Sequence, residues 1–175
     1  MKEIDEVISY INKNAENIDN LYKDFFNKKY TKETLVFSFP PLSKNIKDID
    51  IIKEEPASKQ LSWQCVFLKN IDSKINFLPK TFLPEISDFL IEVNVNTLAP
   101  NTKLPEHSDH FDRTIIHMLL NDLDNDSYIT LEGTPLILRK KYDIVHFNYN
   151  KTHGAANNSS NYRKTFALLF DRVLV

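Results

Sequence analysis

His107, Asp109, His153 and Arg163 are the side chains whose types and order could do chemistry together. A His-x-Asp pair on an extended strand puts an imidazole and a carboxylate on the same side, because strand side chains alternate with period two. A second imidazole from another strand, His153, completes two nitrogens and one oxygen on one face of a metal. That set leaves the opposite coordination positions open, as non-haem Fe(II) oxygenases require to bind a co-substrate and O₂ together. Cys65 is the single cysteine, which argues against a structural zinc site. Arg163 offers a planar guanidinium that reads a carboxylate bidentately and stays charged, a candidate for the far carboxylate of 2-oxoglutarate. The competing reading is ordinary: surface or satisfied core histidines, in a sequence where a chance His-x-Asp is common.

The elements that would carry these residues follow from periodicity. Ile4, Val7, Ile8 and Ile11 fall on one helical stripe, which lapses near Asn14 and resumes with Ile18, Leu21, Tyr22 and Phe25. Residues 1–30 therefore read as two helices covering the outside of a sheet. From Leu35 to Phe39 the period changes to two and Pro40-Pro41 ends the run. Residues 42–60 read as a charged loop, and Leu61 to Leu68 as a strand with Trp63 as a core aromatic or a pocket wall. Over 90–97, Ile91, Val93 and Val95 make an apolar face and Glu92, Asn94 and Asn96 a polar one. The polar face suits either solvent or a wet barrel interior.

Further short strands are expected at 113–121, 128–131, 135–139, 143–148 and 163–175, the pattern of a sandwich or barrel. Glycine is scarce, with Gly133 and Gly154 alone. Asn101, Asn121-Asp122, Asn125-Asp126 and Asn157-Asn158 are the expected turn formers, since Asn and Asp tolerate left-handed backbone.

At 175 residues the chain reads as one domain. It divides into a helical segment (1–30), supporting strands and loops (35–85) and a jelly-roll catalytic core (90–173). A net charge of −2 argues against a nucleic-acid footprint, which would be basic. No apolar run of signal or membrane-spanning length appears, and the lone cysteine suits a reducing compartment. A soluble cytoplasmic protein is expected, with no nucleic acid and no membrane as partner. The stripe in residues 1–30 leaves a homodimer open.

Three segments carry a resemblance. Leu98-Ala-Pro-Asn-Thr-Lys-Leu-Pro-Glu-His107-Ser-Asp109 is followed by Ile115-Ile-His117-Met-Leu-Leu and then by Val145-His-Phe-Asn, His153 and Arg163. Together they resemble the aspartyl/asparaginyl β-hydroxylase family of Fe(II)- and 2-oxoglutarate-dependent oxygenases. They are also similar to the small bacterial amino-acid hydroxylases such as the cis-4-proline hydroxylase. The resemblance spans about residues 90–173 and implies a mainly β, cupin-like double-stranded β-helix with the helices on one sheet. It makes His107 and His153, with Asp109, iron ligands and Arg163 the anchor of the 2-oxoglutarate carboxylate. His117 becomes a contact to the co-substrate, and Asn96 a polar side chain near it. Animal β-hydroxylases have glycine in place of the acidic ligand, whereas Asp109 is kept here. Asp109 also argues against halogenation, which needs that position vacated. The family often has an arginine where this chain has Ile115; Arg113 keeps the strand phase and could substitute.

The expected reaction is hydroxylation of an unactivated carbon of an amino acid, an amino-acid derivative or a peptidyl residue, releasing succinate and CO₂. His110 is expected at the rim, and His146 either buried and hydrogen-bonded or in a pocket wall. Two other classes remain open: a cupin-like metal enzyme that does not use 2-oxoglutarate, and a non-catalytic jelly-roll binding module.

Overall fold

The computed structural model describes residues 3–27, the backbone of 36–39, and 63–175. The loop expected over 42–60 and the strand ends at Leu35 and Leu61 lie outside the described residues.

Two helices open the chain, α1 (Ile4–Lys13) and α2 (Ala15–Asn27). Asp5 and Glu6 in the first turn of α1 and Lys13 in its last complement the helix dipole. The break falls at Asn14, where the apolar stripe lapses. Val7, Ile11, Ala15, Ile18, Tyr22 and Phe25 are all buried, so the stripe is a packing face.

Eleven strands follow among the described residues: β1 (Val36–Phe39), β2 (Trp63–Asn70), β3 (Ile75–Asn76), β4 (Leu90–Leu98), β5 (Thr102–His107), β6 (Thr114–Leu119), β7 (Ser127–Leu131), β8 (Thr134–Leu138), β9 (Ile144–Asn148), β10 (His153–Asn157) and β11 (Arg163–Phe170). One sheet runs β1-β2-β4-β11-β6-β9 with β3 on β2, and a second runs β5-β10-β7-β8. All pairings are antiparallel. From β4 onward the strands interleave as 4-11-6-9 and 5-10-7-8, with late strands inserted between early ones. That interleaving is the double-stranded β-helix, or jelly-roll.

Alternation along the large sheet sets what lies on each side. Val93 and Val95 of β4, Ile116 and Met118 of β6, and Phe166, Leu168 and Phe170 of β11 pack with the helices in one core. Ile115 and Leu119 of β6, with Ala167 and Leu169 of β11, face the second sheet and pack on Ile129, Leu138, Val145 and Phe147. On β4 that same inward phase holds Glu92, Asn94 and Asn96, and all three line an internal cavity. The polar face of β4 is therefore the wet interior, while Val93 and Val95 of its apolar face bind the helices and Ile91 packs with the other cluster.

The turns depart from expectation. Of the Asn and Asp residues named above, Asn101 takes positive φ; the other non-glycine residues that do among the described residues are Lys74, Leu83, His110, Glu132 and Tyr142. Glu132 (φ 48°) and Gly133 (φ 82°) form the two-residue β7–β8 hairpin turn, with Leu131 opposite Thr134. Asn121 instead works through its side chain, Oδ1 accepting from the Lys164 N–H at 3.0 Å. Asn157 closes β10 and starts the following turn through its side chain, Oδ1 accepting from the Ser159 N–H at 3.1 Å. It is fully buried, and its Nδ2 donates to the carbonyls of Leu98, Ala99 and Asn161 at 3.1, 3.1 and 2.8 Å.

Candidate metal centre and its cavity

His107 ends β5 and His153 begins β10, and antiparallel register sets them directly opposite each other. The register slips next to this pair, since Ala155 faces Leu104, so β5 carries one extra residue. Pro105 sits in that irregular stretch, where a missing N–H is tolerated. Gly154 lies against the slip, and a Cβ there would meet Leu104 O and Glu106 Cγ at 3.1 Å. The close approach of β5 and β10 thus depends on glycine at 154.

Asp109 is not on the strand. It follows β5 in the loop toward β6, so strand alternation does not explain why the His-x-Asp pair faces one way. The loop is pinned instead: Ser108 Oγ donates to Asn150 O at 2.8 Å, and Asn148 Nδ2 donates to Asp112 Oδ1 at 2.6 Å. These contacts hold Asp109 beside the start of β10.

The result brings the three residues together. Asp109 Oδ2 lies 3.6 Å from His107 Nε2 and 3.2 Å from His153 Nε2. All three donor atoms fall within 4.8 Å of one another. Each imidazole has its Nδ1 against a backbone carbonyl two residues earlier, Pro105 O at 3.0 Å and Lys151 O at 2.8 Å. A carbonyl only accepts, so Nδ1 carries the hydrogen and Nε2 presents a lone pair. Asp109 Oδ2 is buried with no hydrogen-bond partner. Two imidazole nitrogens and a carboxylate oxygen without a hydrogen-bond partner thus converge on one point, a donor set that could hold a divalent transition metal.

Aromatic rings hold the set. Phe147 and Tyr149 pack on the His153 ring at centroid separations of 4.9 and 5.1 Å. Burial would raise the Asp109 carboxyl, but its neighbours His153, His107 and Tyr149 together hold it below its usual range. Burial, and then the charge of Asp109, pushes the Tyr149 hydroxyl up, so it stays a protonated donor. Neither Phe147 nor Tyr149 was singled out from the sequence. The inward phase of β9, Val145 then Phe147 then Tyr149, was the available signal.

The three residues open into a cavity of about 490 Å³ between the sheets. Arg163, first residue of β11, lines it and is 3% exposed. One of its terminal nitrogens donates to Ser127 Oγ at 3.3 Å and Tyr128 O at 3.2 Å, and its buried Nε has no partner. No carboxylate among the described residues forms an ion pair with it. Burial pulls the guanidinium down to about 10, still charged at neutral pH. His117 also lines the cavity, stacked parallel to Phe147, with Nδ1 3.3 Å from Thr165 Oγ1. Burial first, then the positive charge of Arg163, pushes it down to about 3, so it is a neutral imidazole. Asn96 is in the wall, Oδ1 accepting from the Trp63 indole at 3.0 Å and Nδ2 donating to Asn94 at 2.5 Å. Trp63 is accordingly a cavity wall and not core.

Arg113 lines the cavity, with its guanidinium 5.3 Å from the Phe111 ring centroid. His110 is exposed and is not among the cavity residues. His146 is exposed on the outer side of β9, neither buried nor a pocket wall, because Val145 and Phe147 hold the inward phase.

No family model and no curated protein matches the sequence. Among solved structures, the chain is similar to a predicted oxalate decarboxylase from Thermotoga maritima, at 13% identity and TM-score 0.44 over 62% of this chain and 79% of that one. It is also similar to a cupin domain of an XRE-family transcriptional regulator from Enterobacter cloacae, at 22% identity and TM-score 0.39 over 47% and 82% of the two chains. A cupin-superfamily protein from Desulfitobacterium hafniense gives 15% identity and TM-score 0.38 over 48% and 69%. These likenesses say nothing of the chemistry in the cavity and add nothing to the topology above. No described helix is long and apolar enough to cross a membrane.

Proposed function

We propose that the chain is an Fe(II)- and 2-oxoglutarate-dependent oxygenase that hydroxylates an unactivated carbon of an amino acid, a derivative or a peptidyl residue. The observation that carries this reading is Arg163, a buried cation without a counterion among the described residues, in the same cavity as an open His/Asp/His set. A buried charge is strongly unfavourable unless paired, and a dicarboxylate reaching from the metal to Arg163 would pair it. His107, Asp109 and His153 would hold the iron. When bound, iron and 2-oxoglutarate supply the oxidising power, so that one oxygen atom ends in succinate and the other in the hydroxylated product, with loss of CO₂.

The protein's own residues do the positioning. The Pro105 and Lys151 carbonyls fix the imidazole tautomers, and Tyr149 helps keep the Asp109 carboxyl ionised. Neutral His117 offers a hydrogen-bonding imidazole that does not compete with Arg163 for charge. Asn96 is held by Trp63 and Asn94 in the wall. The apolar surfaces of Phe67, Ile115, Phe147 and Leu169 exclude water from the reacting carbon.

The test is anaerobic absorption spectroscopy of the metal-free protein titrated with Fe(II) and then 2-oxoglutarate. A visible charge-transfer band that is absent in His107→Ala is expected. Iron binding without that band would favour a metal enzyme that does not use 2-oxoglutarate. Failure to bind iron would overturn the metal assignment.

A further inference from the structure

Asp109 reaches the metal centre from a loop, and that loop is held from outside the cavity. Residues 108–113 leave β5 after His107 and return at Arg113, whose carbonyl accepts from the Tyr149 N–H at 2.7 Å. His110, in the left-handed region at φ 59°, turns the chain directly after Asp109, and its N–H donates to Ser108 Oγ at 3.3 Å. One side-chain tether stands on each side of Asp109. Ser108 Oγ donates to the Asn150 carbonyl at 2.8 Å, and Asp112 Oδ1 accepts from Asn148 Nδ2 at 2.6 Å.

Both tethers lead to one residue. Asn148 Oδ1 accepts from the Asn150 N–H at 3.0 Å, and the Asn148 carbonyl accepts from the Lys151 N–H at 2.9 Å, so Asn148 shapes the turn from β9 to β10. That turn presents the Asn150 carbonyl to Ser108 and the Lys151 carbonyl to His153 Nδ1. A backbone N–H only donates, which fixes the amide: Oδ1 faces the turn and Nδ2 faces Asp112. Asn148 alternates with Phe147 and Tyr149, which line the cavity, and is not itself among the lining residues. Whatever it does for the metal centre, it does through other residues.

We infer that Asn148 is a positioning residue of the metal centre, whose Nδ2, through Asp112, holds the Asp109 carboxylate opposite the two imidazoles. The inference rests on the metal assignment within the oxygenase reading and not on its co-substrate. Groups behind the ligands commonly contribute about tenfold or more to metal affinity. The physical reason is that a ligand on an untethered loop must be ordered each time the ion binds. An asparagine that only builds a turn does its work with Oδ1, and its Nδ2 could then be exchanged without consequence for the metal.

The experiment exchanges donor and acceptor. Asn148→Asp keeps an oxygen for the Asn150 N–H but sets a carboxylate against Asp112. Adding Asp112→Asn restores the bond with its roles reversed and returns the net charge to that of wild type. Calorimetric titration of the metal-free full chain reads Zn(II) affinity, Co(II) absorption reads the ligand set, and urea unfolding of the metal-free chain reads the fold. Asn148→Asp is expected to bind Zn(II) about tenfold more weakly, with altered Co(II) bands, although its added negative charge would by itself attract the ion. The double variant is expected to return to within about threefold of wild type, with wild-type Co(II) bands. In an Asp109→Ala background, where the tethered ligand is gone, Asn148→Asp is expected to change Zn(II) affinity by less than about threefold. Wild-type Zn(II) binding by Asn148→Asp, no recovery in a folded double variant, or an equal loss in the Asp109→Ala background would each overturn the inference. If Asn148→Asp alone does not fold, the double variant decides: wild-type affinity and bands uphold the exchange, weakened binding overturns it. Wild type that binds no Zn(II) would overturn the metal assignment itself, and this inference with it.

Discussion

Replacing Arg163 by methionine separates a structural cation from one kept for a ligand. Burial draws the guanidinium down to about 10 from its ordinary value, which corresponds to about 3 kcal/mol against the charged form in the folded chain. Because the folded value is the depressed one, that cost applies in full below about pH 10 and is relieved only as pH rises above it. Against it stand two long hydrogen bonds, 3.3 Å to Ser127 Oγ and 3.2 Å to Tyr128 O, each worth about 0.5–1 kcal/mol. Ser127 Oγ keeps its 2.7 Å bond to the Ala156 carbonyl in the variant, so no buried hydroxyl is orphaned. Arg163→Met should therefore be more stable than wild type by about 1–2 kcal/mol in the absence of co-substrate, a rise in Tm of roughly 3–6 °C. Co-substrate should reverse the order. At a hundred times its dissociation constant, 2-oxoglutarate with Zn(II) should stabilise wild type by about 2.7 kcal/mol and leave the variant unmoved. Calorimetry at neutral pH, with Zn(II) and with or without 2-oxoglutarate, reads both effects. A variant destabilised by about 2 kcal/mol or more without co-substrate would make Arg163 a structural residue, and a variant that still responds to 2-oxoglutarate would place the carboxylate elsewhere.

Other outcomes follow from particular contacts. Gly154→Ala puts a Cβ at 3.1 Å from Leu104 O, and the strands must part where His107 faces His153. Metal affinity should fall at least tenfold by calorimetric titration with Zn(II), with about 1–3 kcal/mol of stability lost; unaltered affinity would mean that the β5–β10 spacing does not set the ligand geometry. His117 has a folded value of about 3 against 6.5, so the unfolded chain takes up the proton first and stability falls as pH drops through this window. Between pH 6.5 and 4.5 this contributes about 2 kcal/mol. The wild-type decline in unfolding free energy, read from urea titrations, should exceed that of His117→Gln by that amount, and parallel curves would show that His117 can be protonated in place.

How far the sequence discloses all this depends on whether a feature is local. The stripe through Val7, Ile11, Ile18, Tyr22 and Phe25 is local, and it buries as periodicity requires. So is the split face of β4, where apolar Val93 and Val95 take the helices and Glu92, Asn94 and Asn96 take the cavity. The phase of His146 was also legible, since Val145 and Phe147 flank it as inward apolar residues. The strand β10 is different. His153-Gly-Ala-Ala-Asn157 is buried along its whole length because it lies between β5 and β7 in the interior of its sheet, and small residues there erase any period-two signal. β5 carries Thr102, Lys103, Leu104, Pro105 and Glu106, with an irregularity at Pro105 that no alternation predicts. The meeting of His107 and His153 is therefore a matter of register between two strands that each look featureless. It is set by the bulge, by Gly154 and by the interleaved order of the jelly-roll. Asp109 completes the set from a loop tied to Asn150 and Asn148, whose side-chain and backbone bonds span about forty residues of sequence. The residue types name the chemistry because a metal dictates its ligands. The backbone that gathers them is non-local, which is why the sequence offers His107, Asp109 and His153 as candidate ligands by type but does not disclose Tyr149 beside them or the three carbonyls that Asn157 binds.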